Sequence, residues 1–517
     1  MLRTAAAAAT AAASRARVRP LPPSAAAAEA TTAAAAVAAI RSGAAGWGTL
    51  FTPRMLSAEW AAGDGGGSWG APVIGPHESL SLAPSASALH YALQVFDGFK
   101  AYRGVDGRMR LVRPDINLRR LATSATRLTL PAYPPDALLP LITQLVNLDA
   151  PLWCPPVAAP APAGTTPGSG KAPPSHEAEG NTSPPSVDAG AAVPTSLYLR
   201  PVILSTDPKL GVSSPRSALL YVIASPVGGY FRGGRASRAG LKLLVDTTIA
   251  RAARGGTGAV KAGANYAGTI APAAAAAADG CDQMLWVGED GSVAECGMMN
   301  FFAVYASGEV VTPALDGTIL PGVTRQCVLE LVDGLHRDDE VGRGGSRTWR
   351  AVEATLPLTT LLADVQAGRV VEMFGTGTAA SVLPVSTIRS GGRDYAVEGG
   401  GVGLGDRLRD ALDAIATGRT ADATGAHPWT VLVGEKTDVE GGGGSECWRR
   451  GEPAAPPPLW DGGRRGLVAG KDVLRRGKSR QVEAVGGCRV DSFYQRTLDN
   501  RVIPEGLCSG GRLQRWS

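Results

Sequence analysis

From Cys154 to Pro194 the chain reads CPPVAAPAPAGTTPGSGKAPPSHEAEGNTSPPSVDAGAAVP, a run of proline, glycine, serine and alanine with almost nothing to bury. Such a composition does not offset the entropy of ordering a backbone, so residues 154–194 are expected to be a disordered insertion in a surface loop. The tail, residues 435–517, is rich in glycine and arginine without sustained periodicity and is expected to lie outside the folded core. At the other end, residues 1–46 are alanine-rich, with Arg3, Arg15, Arg17 and Arg19 and no acidic residue before Glu29. That is the composition of an organellar transit peptide, expected to be disordered. Its many alanines and few serines favour the mitochondrion, with the plastid as the alternative. A packed structure must therefore be assembled from residues 47–434, on both sides of the insertion.

In a chain of 517 residues that is 44% hydrophobic and 19% charged, that span is long enough for more than one domain. The net charge of +5 comes from scattered arginines, not from a basic stripe interleaved with aromatics, so no nucleic-acid partner is expected. Beyond the alanine-rich leader there is no run of about 18 apolar residues, and no membrane span is expected. The seven cysteines are odd in number and contain no CxxC pair, which argues against a zinc site or a disulfide framework and for a reducing compartment.

Within residues 47–434, strand-like and helix-like segments alternate. TSLYLRPVILST and ALLYVIASPVG carry the β-branched and aromatic residues of strands. PDINLRRLATSATRLTL reads as a helix, with Pro114 at its start, Asp115 in its first turn and Leu118, Leu121 and Leu128 at helical spacing. QMLWVGEDGSVAECGMMNFFAVYASGEVVTP predicts two strands joined across Gly288 to Gly291 and a third after Gly308. PGVTRQCVLELV predicts a helix, and VVEMFGTGTAASVLPV a strand running into a small-residue turn. The first half is mixed α and β and the second mainly strands.

Against this background Lys261 stands out, because it lies in GGTGAVKAGANYAG and the basic residues of this chain are overwhelmingly arginine. A lone lysine is usually a surface residue whose stem lies on apolar atoms. A desolvated lysine, unlike arginine, loses its proton and acts as nucleophile or base. Glu295, in VAECGMMNFF, has apolar neighbours on both sides and needs a cation or donor if buried. LPGVTRQ, where a helix starts at Val323 and Thr324, and FGTGTAA, with Thr376 and Thr378, are turns that point amides at an anion. A lysine for an aldehyde, a carboxylate for a ring nitrogen and amide cradles for a phosphate are together what pyridoxal 5'-phosphate requires.

The blocks LHYALQVFDGFKAYRG, SLYLRPVILSTDPKLGVSSP, GAVKAGANYAG, QMLWVGEDGSVAECGMMNFF, GTILPGVTRQ and FGTGTAASVLPV resemble, in order, the signature blocks of branched-chain amino-acid aminotransferases, the fold-type IV pyridoxal-phosphate enzymes. The resemblance implies an α+β or α/β subunit with a smaller α/β amino-terminal domain (47–232) and a larger pseudo-barrel domain (233–434), the cofactor between them, and a homodimer. It implies reversible transamination of leucine, isoleucine and valine with 2-oxoglutarate. Lys261 matches the Schiff-base lysine and catalytic base, Tyr266 the tyrosine at the cofactor's phenolic oxygen, and Glu295 the carboxylate at the pyridine nitrogen. Arg120, Arg251, Val323, Thr324 and Thr378 match phosphate contacts. Phe51, Tyr91, Phe96, Tyr198, Arg200, Tyr230 and Ala379 match the substrate pocket, and Leu210 and Val212 a loop that reaches the partner's site. No metal site is implied.

This chain departs from the family at three places. Asp97 stands for the usual glutamate, Met298 replaces a small or hydroxyl-bearing residue, and TAASVL lacks the CxxC of some animal relatives. The alternatives are a D-amino-acid aminotransferase or pyridoxal-dependent lyase on the same scaffold, or a non-catalytic relative. Intact Lys261, Tyr266 and Glu295 argue against the last.

Overall fold

The computed structural model describes residues 15–64, 66–156, 196–228, 240–333, 335, 349–397, 403–422 and 425–434. The expected insertion, apart from residues 154–156, and the tail from residue 435 lie outside the described residues.

The first half opens with β1 (Arg17–Val18), α1 (Pro23–Ser42), β2 (Arg54–Gly63), β3 (Gly66–Trp69), β4 (Val73–Pro76) and α2 (Ser87–Tyr91). It continues through β5 (Gln94–Phe96), β6 (Phe99–Arg103), β7 (Met109–Val112), α3 (Pro114–Arg127), α4 (Pro135–Trp153), β8 (Ser196–Ser205) and β9 (Ser217–Val227). The second half comprises β10 (Leu241–Leu244), α5 (Ala264–Ala267), α6 (Ile270–Ala278), β11 (Gln283–Val287), β12 (Val293–Cys296), β13 (Met299–Tyr305) and β14 (Glu309–Pro313). It ends with α7 (Val323–Val332), β15 (Arg350–Ala354), α8 (Leu358–Gln366), β16 (Val370–Gly377), β17 (Ser381–Ser390), β18 (Arg393–Ala396), α9 (Leu404–Ala416) and β19 (Thr430–Val433).

The first sheet runs β1-β4-β2-β9-β8-β6-β7-β19, with β3 on β2 and β5 on β8. Its core joins Leu56, Phe99, Leu111, Leu199 and Leu220 from strands to Leu118 and Leu121 of α3 and Leu138, Leu141 and Leu145 of α4. In the second sheet, β12-β11-β10-β17-β16-β13 closes on itself because β12 also pairs with β13. Phe301 and Ala303 enter one apolar cluster, whereas Phe302 and Val304 enter another with Phe374, Val328 of α7 and Leu408 of α9. The strand's period of two thus buries both faces of β13, as a barrel strand under helices must.

Residues 15–46 are not a disordered leader. Ala33, Ala36, Val37 and Ile40 of α1 fall at i, i+3, i+4 and i+7 and are buried, a helical stripe that composition hides among alanines. Ahead of it, β1 pairs in parallel with β4, and Gln144 of α4 grips Ala16, accepting from its N–H at 3.0 Å and donating to its carbonyl at 3.2 Å. Glu29, the first acidic residue, receives two bonds from Arg54, which also reaches Asp149 at 2.8 Å.

Two further differences follow, one from a reversal too short to leave a periodic signal and one from a long-range strand pairing. Glu295 pairs with Asn300 and Cys296 with Met299, so a two-residue turn at Gly297 and Met298 makes two strands of the expected single run VAECGMMNFFAVY. Gly297 has φ +57°, which a hairpin turn of this length needs and glycine adopts freely. The last strand, β19, pairs with β7 and so belongs to the first sheet, although it lies within the span 233–434 assigned to the second domain.

The Asp149 carboxyl is pushed up to about 6, first by burial. Its folded pKa lies above the unfolded value, so its proton-linked stability is present below about pH 4 and is lost as pH rises through about 6. Arg54→Met removes the cation that favours the charged carboxylate and moves the Asp149 pKa above 6. Its cost, about 3 kcal/mol at about pH 9, should therefore shrink as pH falls to about 6 and Asp149 takes a proton. Denaturant midpoints at the two pH values measure this, and a deficit that does not depend on pH would contradict the assignment.

Candidate functional site

A cavity of about 580 Å³ lies between the two sheets and is lined from both halves. Lys261 reaches it from the loop after β10. Its N–H donates to Ser124 Oγ of α3 at 3.0 Å and its carbonyl accepts from Phe96 N at 3.1 Å, while Val95 and Ala262 form an isolated bridge. The backbone of the lysine is thus fixed by the first half, although its own strands lie in the second. Its Nζ donates to the Tyr266 hydroxyl at 3.0 Å and lies 4.8 Å from the Phe96 ring centre.

Burial, then the Arg120 guanidinium, lowers the Lys261 ammonium from its ordinary value to about 8, with Asp97 opposing. The lysine is therefore readily deprotonated, as a nucleophile or base must be. Burial also pushes the Tyr266 hydroxyl up to about 12, so it stays a neutral donor. Glu295, on β12, accepts from Leu320 N at 2.7 Å and faces Arg251 Nε at 3.1 Å. Burial raises its carboxyl, while the Arg251 guanidinium and the Leu320 amide favour the charged form.

The anion-binding features converge on one wall. Gly322 precedes α7 in an extended conformation with no side-chain cap, so the first amides of the helix, at Val323 and Thr324, have no partner within it. A Cβ on Gly322 would sit 1.9 Å from Asn300 Oδ1, so only glycine fits. Thr376 Oγ1, on the same wall, is buried without a hydrogen-bond partner. Arg120 also lines the cavity, bound to both Asp97 oxygens at 2.8 Å and to Pro321 O at 3.0 Å. A hydroxyl without a partner, helix-terminal amides and a buried guanidinium form a donor set that fits a phosphate, and Lys261 fits an aldehyde.

Elsewhere in the cavity lining, Arg200 Nη2 donates to the Tyr198 hydroxyl at 2.8 Å and its guanidinium lies 4.7 Å from the Phe96 ring centre. Tyr198 approaches so closely that a Cβ on Gly98 would come within 1.8 Å of its hydroxyl.

The structure brings Lys261, Tyr266, Arg120, Val323, Thr324, Thr378, Phe96, Tyr198, Arg200 and Ala379 to the cavity wall. Glu295 stands behind Leu320, and Arg251 holds Glu295 and the Thr318 carbonyl instead of lining the cavity. Phe51 is exposed beside His77, at 5.2 Å between ring centres, and Tyr91 is exposed at the end of α2, so neither lines this cavity. Tyr230 lies outside the described residues. The aromatic that enters from this stretch is Trp47, whose ring is 4.7 Å from that of Tyr198. Thr376, of the expected anion-binding turn, also lines the cavity, as do Gln94 and Asn300, which carry no sequence signal beyond their neighbours. Met298, the second residue of the hairpin turn, is 62% exposed at the cavity edge and brings a thioether where a hydroxyl would donate.

The model of the family Amino-transferase class IV matches residues 189–388. The chain is 38% identical over 347 residues to the cytosolic branched-chain-amino-acid aminotransferase of Rattus norvegicus, covering 66% of this chain and 72% of that one. It is 38% identical over 397 residues to the mitochondrial enzyme of that name from Bos taurus, covering 75% and 86%. The fold is similar to that of a branched-chain amino acid aminotransferase solved with pyridoxamine 5'-phosphate, at a TM-score of 0.50 and 24% identity over 73% of this chain and 98% of that one.

In cofactor-free protein, reaction of Lys261 with an amine-selective reagent should be half-maximal near pH 8 instead of the ordinary 10.5, and Arg120→Met should move that midpoint upwards. Mass-spectrometric quantification of the modified lysine across pH measures it, and a midpoint above 10 would refute the burial argument.

Proposed function

Because this chain belongs to the branched-chain amino-acid aminotransferases of class IV, we propose that Lys261 carries the transfer of an amino group between leucine, isoleucine or valine and 2-oxoglutarate. The reaction is reversible and yields branched 2-oxo acids and glutamate. The observation that supports this assignment is a buried lysine, 3.0 Å from a neutral tyrosine, in a cavity with a phosphate cradle. The relatives named for this activity favour neither the D-amino-acid nor the lyase reading.

Pyridoxal 5'-phosphate supplies an aldehyde that condenses with amines and a ring that accepts the electron pair left when the α-proton departs. Arg120, the amides of Val323 and Thr324 and the hydroxyls of Thr376 and Thr378 hold its phosphate. Glu295, ion-paired with Arg251, would partner its ring nitrogen, and Tyr266 would orient the ring. Lys261 Nζ moves the α-proton of the substrate, a base suited to its task by a pKa near 8. Arg200 and Tyr198 receive the polar end of glutamate, while Trp47 and Phe96 offer apolar surface to an aliphatic side chain.

The enzyme works as a homodimer. Leu210 and Val212 are 72% and 87% exposed, and a bridge between Ala86 and Pro208 ties their loop to the residue that precedes α2. An apolar patch of this kind is suited to a second subunit. The protein is mitochondrial, with a targeting leader that ends before Ala16, because Ala16 and the helix after it are packed into the core.

Purified protein should show the absorbance band of a lysine–pyridoxal adduct and convert leucine with 2-oxoglutarate in ping-pong kinetics. Lys261→Ala should abolish both the band and turnover, and full transamination by that variant would overturn the assignment. Leu210→Asp combined with Val212→Asp should shift the species seen by light scattering from dimer to monomer.

A further inference from the structure

The phosphate wall has a back as well as a front. Behind it lies a second cavity of about 60 Å³, lined by Lys100, Tyr102 and Asp413 and by Val323, Thr324, Gly377 and Thr378, which also line the main cavity. Lys100 belongs to β6, whose Phe99 enters the core of the first sheet, and Phe99, Lys100 and Tyr102 all contribute to the lining of this rear cavity. The residue is 8% exposed, and its ammonium donates to the carbonyl of Ala379 at 3.2 Å, across 279 positions of sequence. Burial lowers that ammonium to about 8, with the Asp413 carboxylate of α9 acting in the opposite sense.

The carbonyl it holds belongs to the turn between β16 and β17, residues 378–380, and Ala379 and Ala380 both face the main cavity. In a planar trans peptide the carbonyl of one residue and the N–H of the next point in opposite directions. A cation that draws the Ala379 carbonyl towards the rear cavity therefore turns the Ala380 N–H towards the front. The turn cannot be relied on to hold that orientation alone, because Ser381 closes it at φ +59°, a conformation that costs a non-glycine residue about 1 kcal/mol and persists only when its surroundings fix it.

We propose that Lys100 is a positioning residue for substrate binding: from behind the turn it orients the Ala379–Ala380 peptide so that the Ala380 N–H receives the carboxylate shared by the amino-acid and 2-oxo-acid substrates. This rests on the aminotransferase reading of the site. It explains why a lysine is buried on the first sheet at a distance from any role in proton transfer. It also assigns the first half a part in substrate affinity through a residue that does not touch substrate.

Lys100→Met keeps the length of the side chain and removes the donor. It should raise KM for leucine and for 2-oxoglutarate by about tenfold, the loss of one charge-assisted hydrogen bond, and change kcat by less than about threefold. The Kd of holoenzyme for 4-methylpentanoate, a carboxylate with no amino group to react, should rise by the same factor, with the absorbance band of the lysine adduct unchanged. Lys100→Arg, whose larger head has the rear cavity to occupy, should restore both constants to within about threefold. An unchanged Kd in Lys100→Met would overturn the proposal. So would a loss of cofactor and of kcat with Kd preserved, the mark of a merely structural lysine, or a failure of Lys100→Arg to restore binding. The Kd comparison needs no turnover, so a wild type inactive with leucine would refute the aminotransferase reading and leave Lys100 still to be judged.

Discussion

The buried ion pair between Arg120 and Asp97 is the interaction on which the site depends. Lys261, Arg120 and Arg200 bring positive charge to one cavity, and the burial of their heads alone would make that arrangement unfavourable. Asp97 supplies the balancing charge from the turn between β5 and β6, with its own N–H on the Pro201 carbonyl at 2.9 Å and the Gly98 N–H on Oδ1 at 2.7 Å. Both of its oxygens meet Arg120 at 2.8 Å, so a side chain one methylene shorter than glutamate still binds the guanidinium in a fork. Because Asp97 offsets only part of the field, Lys261 remains easier to deprotonate than an exposed lysine. The ion pair therefore holds the guanidinium of the cradle in place, while burial, with the Arg120 charge second and Asp97 opposing, sets the reactivity of the lysine.

What the sequence discloses, and what it hides, follows from the kind of signal each part leaves. Lys261 is legible because a lone lysine among glycines and alanines departs from an arginine-rich background, and Tyr266 because it follows on the next turn of chain. The helix at Val323 and the turn after Gly377 are legible from their punctuation by proline, glycine and threonine. Trp47 and Phe51 lie in an irregular stretch where no period says which ring faces inwards, and the structure turns Trp47 towards Tyr198 and Phe51 towards His77. The helix α1 is hidden for another reason. Alanine is both the main residue of a leader and the best helix former, so composition cannot separate the two, and only the spacing of Ala33, Ala36, Val37 and Ile40 does. Long-range partners such as Arg54 with Asp149, or Lys100 with Ala379, leave no trace in a single sequence, because each lies far along the chain from its mate.

The cavity exists only while the two sheets remain docked, and three of the polar links that hold them so meet at the cavity itself. Arg120 reaches from α3 to the Pro321 carbonyl, Lys100 from β6 to the Ala379 carbonyl, and the backbone of Lys261 is bound on both sides to Phe96 and Ser124. All three links end on the walls of the cofactor site. A group that fills this site contacts both halves at once and therefore favours the docked arrangement over any separated one. Ligand that binds only the docked form adds about 2.7 kcal/mol at a hundred times its Kd, comparable to several hydrogen bonds of the kind just named. On the proposed assignment, the donors that would receive the phosphate make the cofactor part of the joint between the two halves, and the chemistry proposed for Lys261 is available only when that joint is closed.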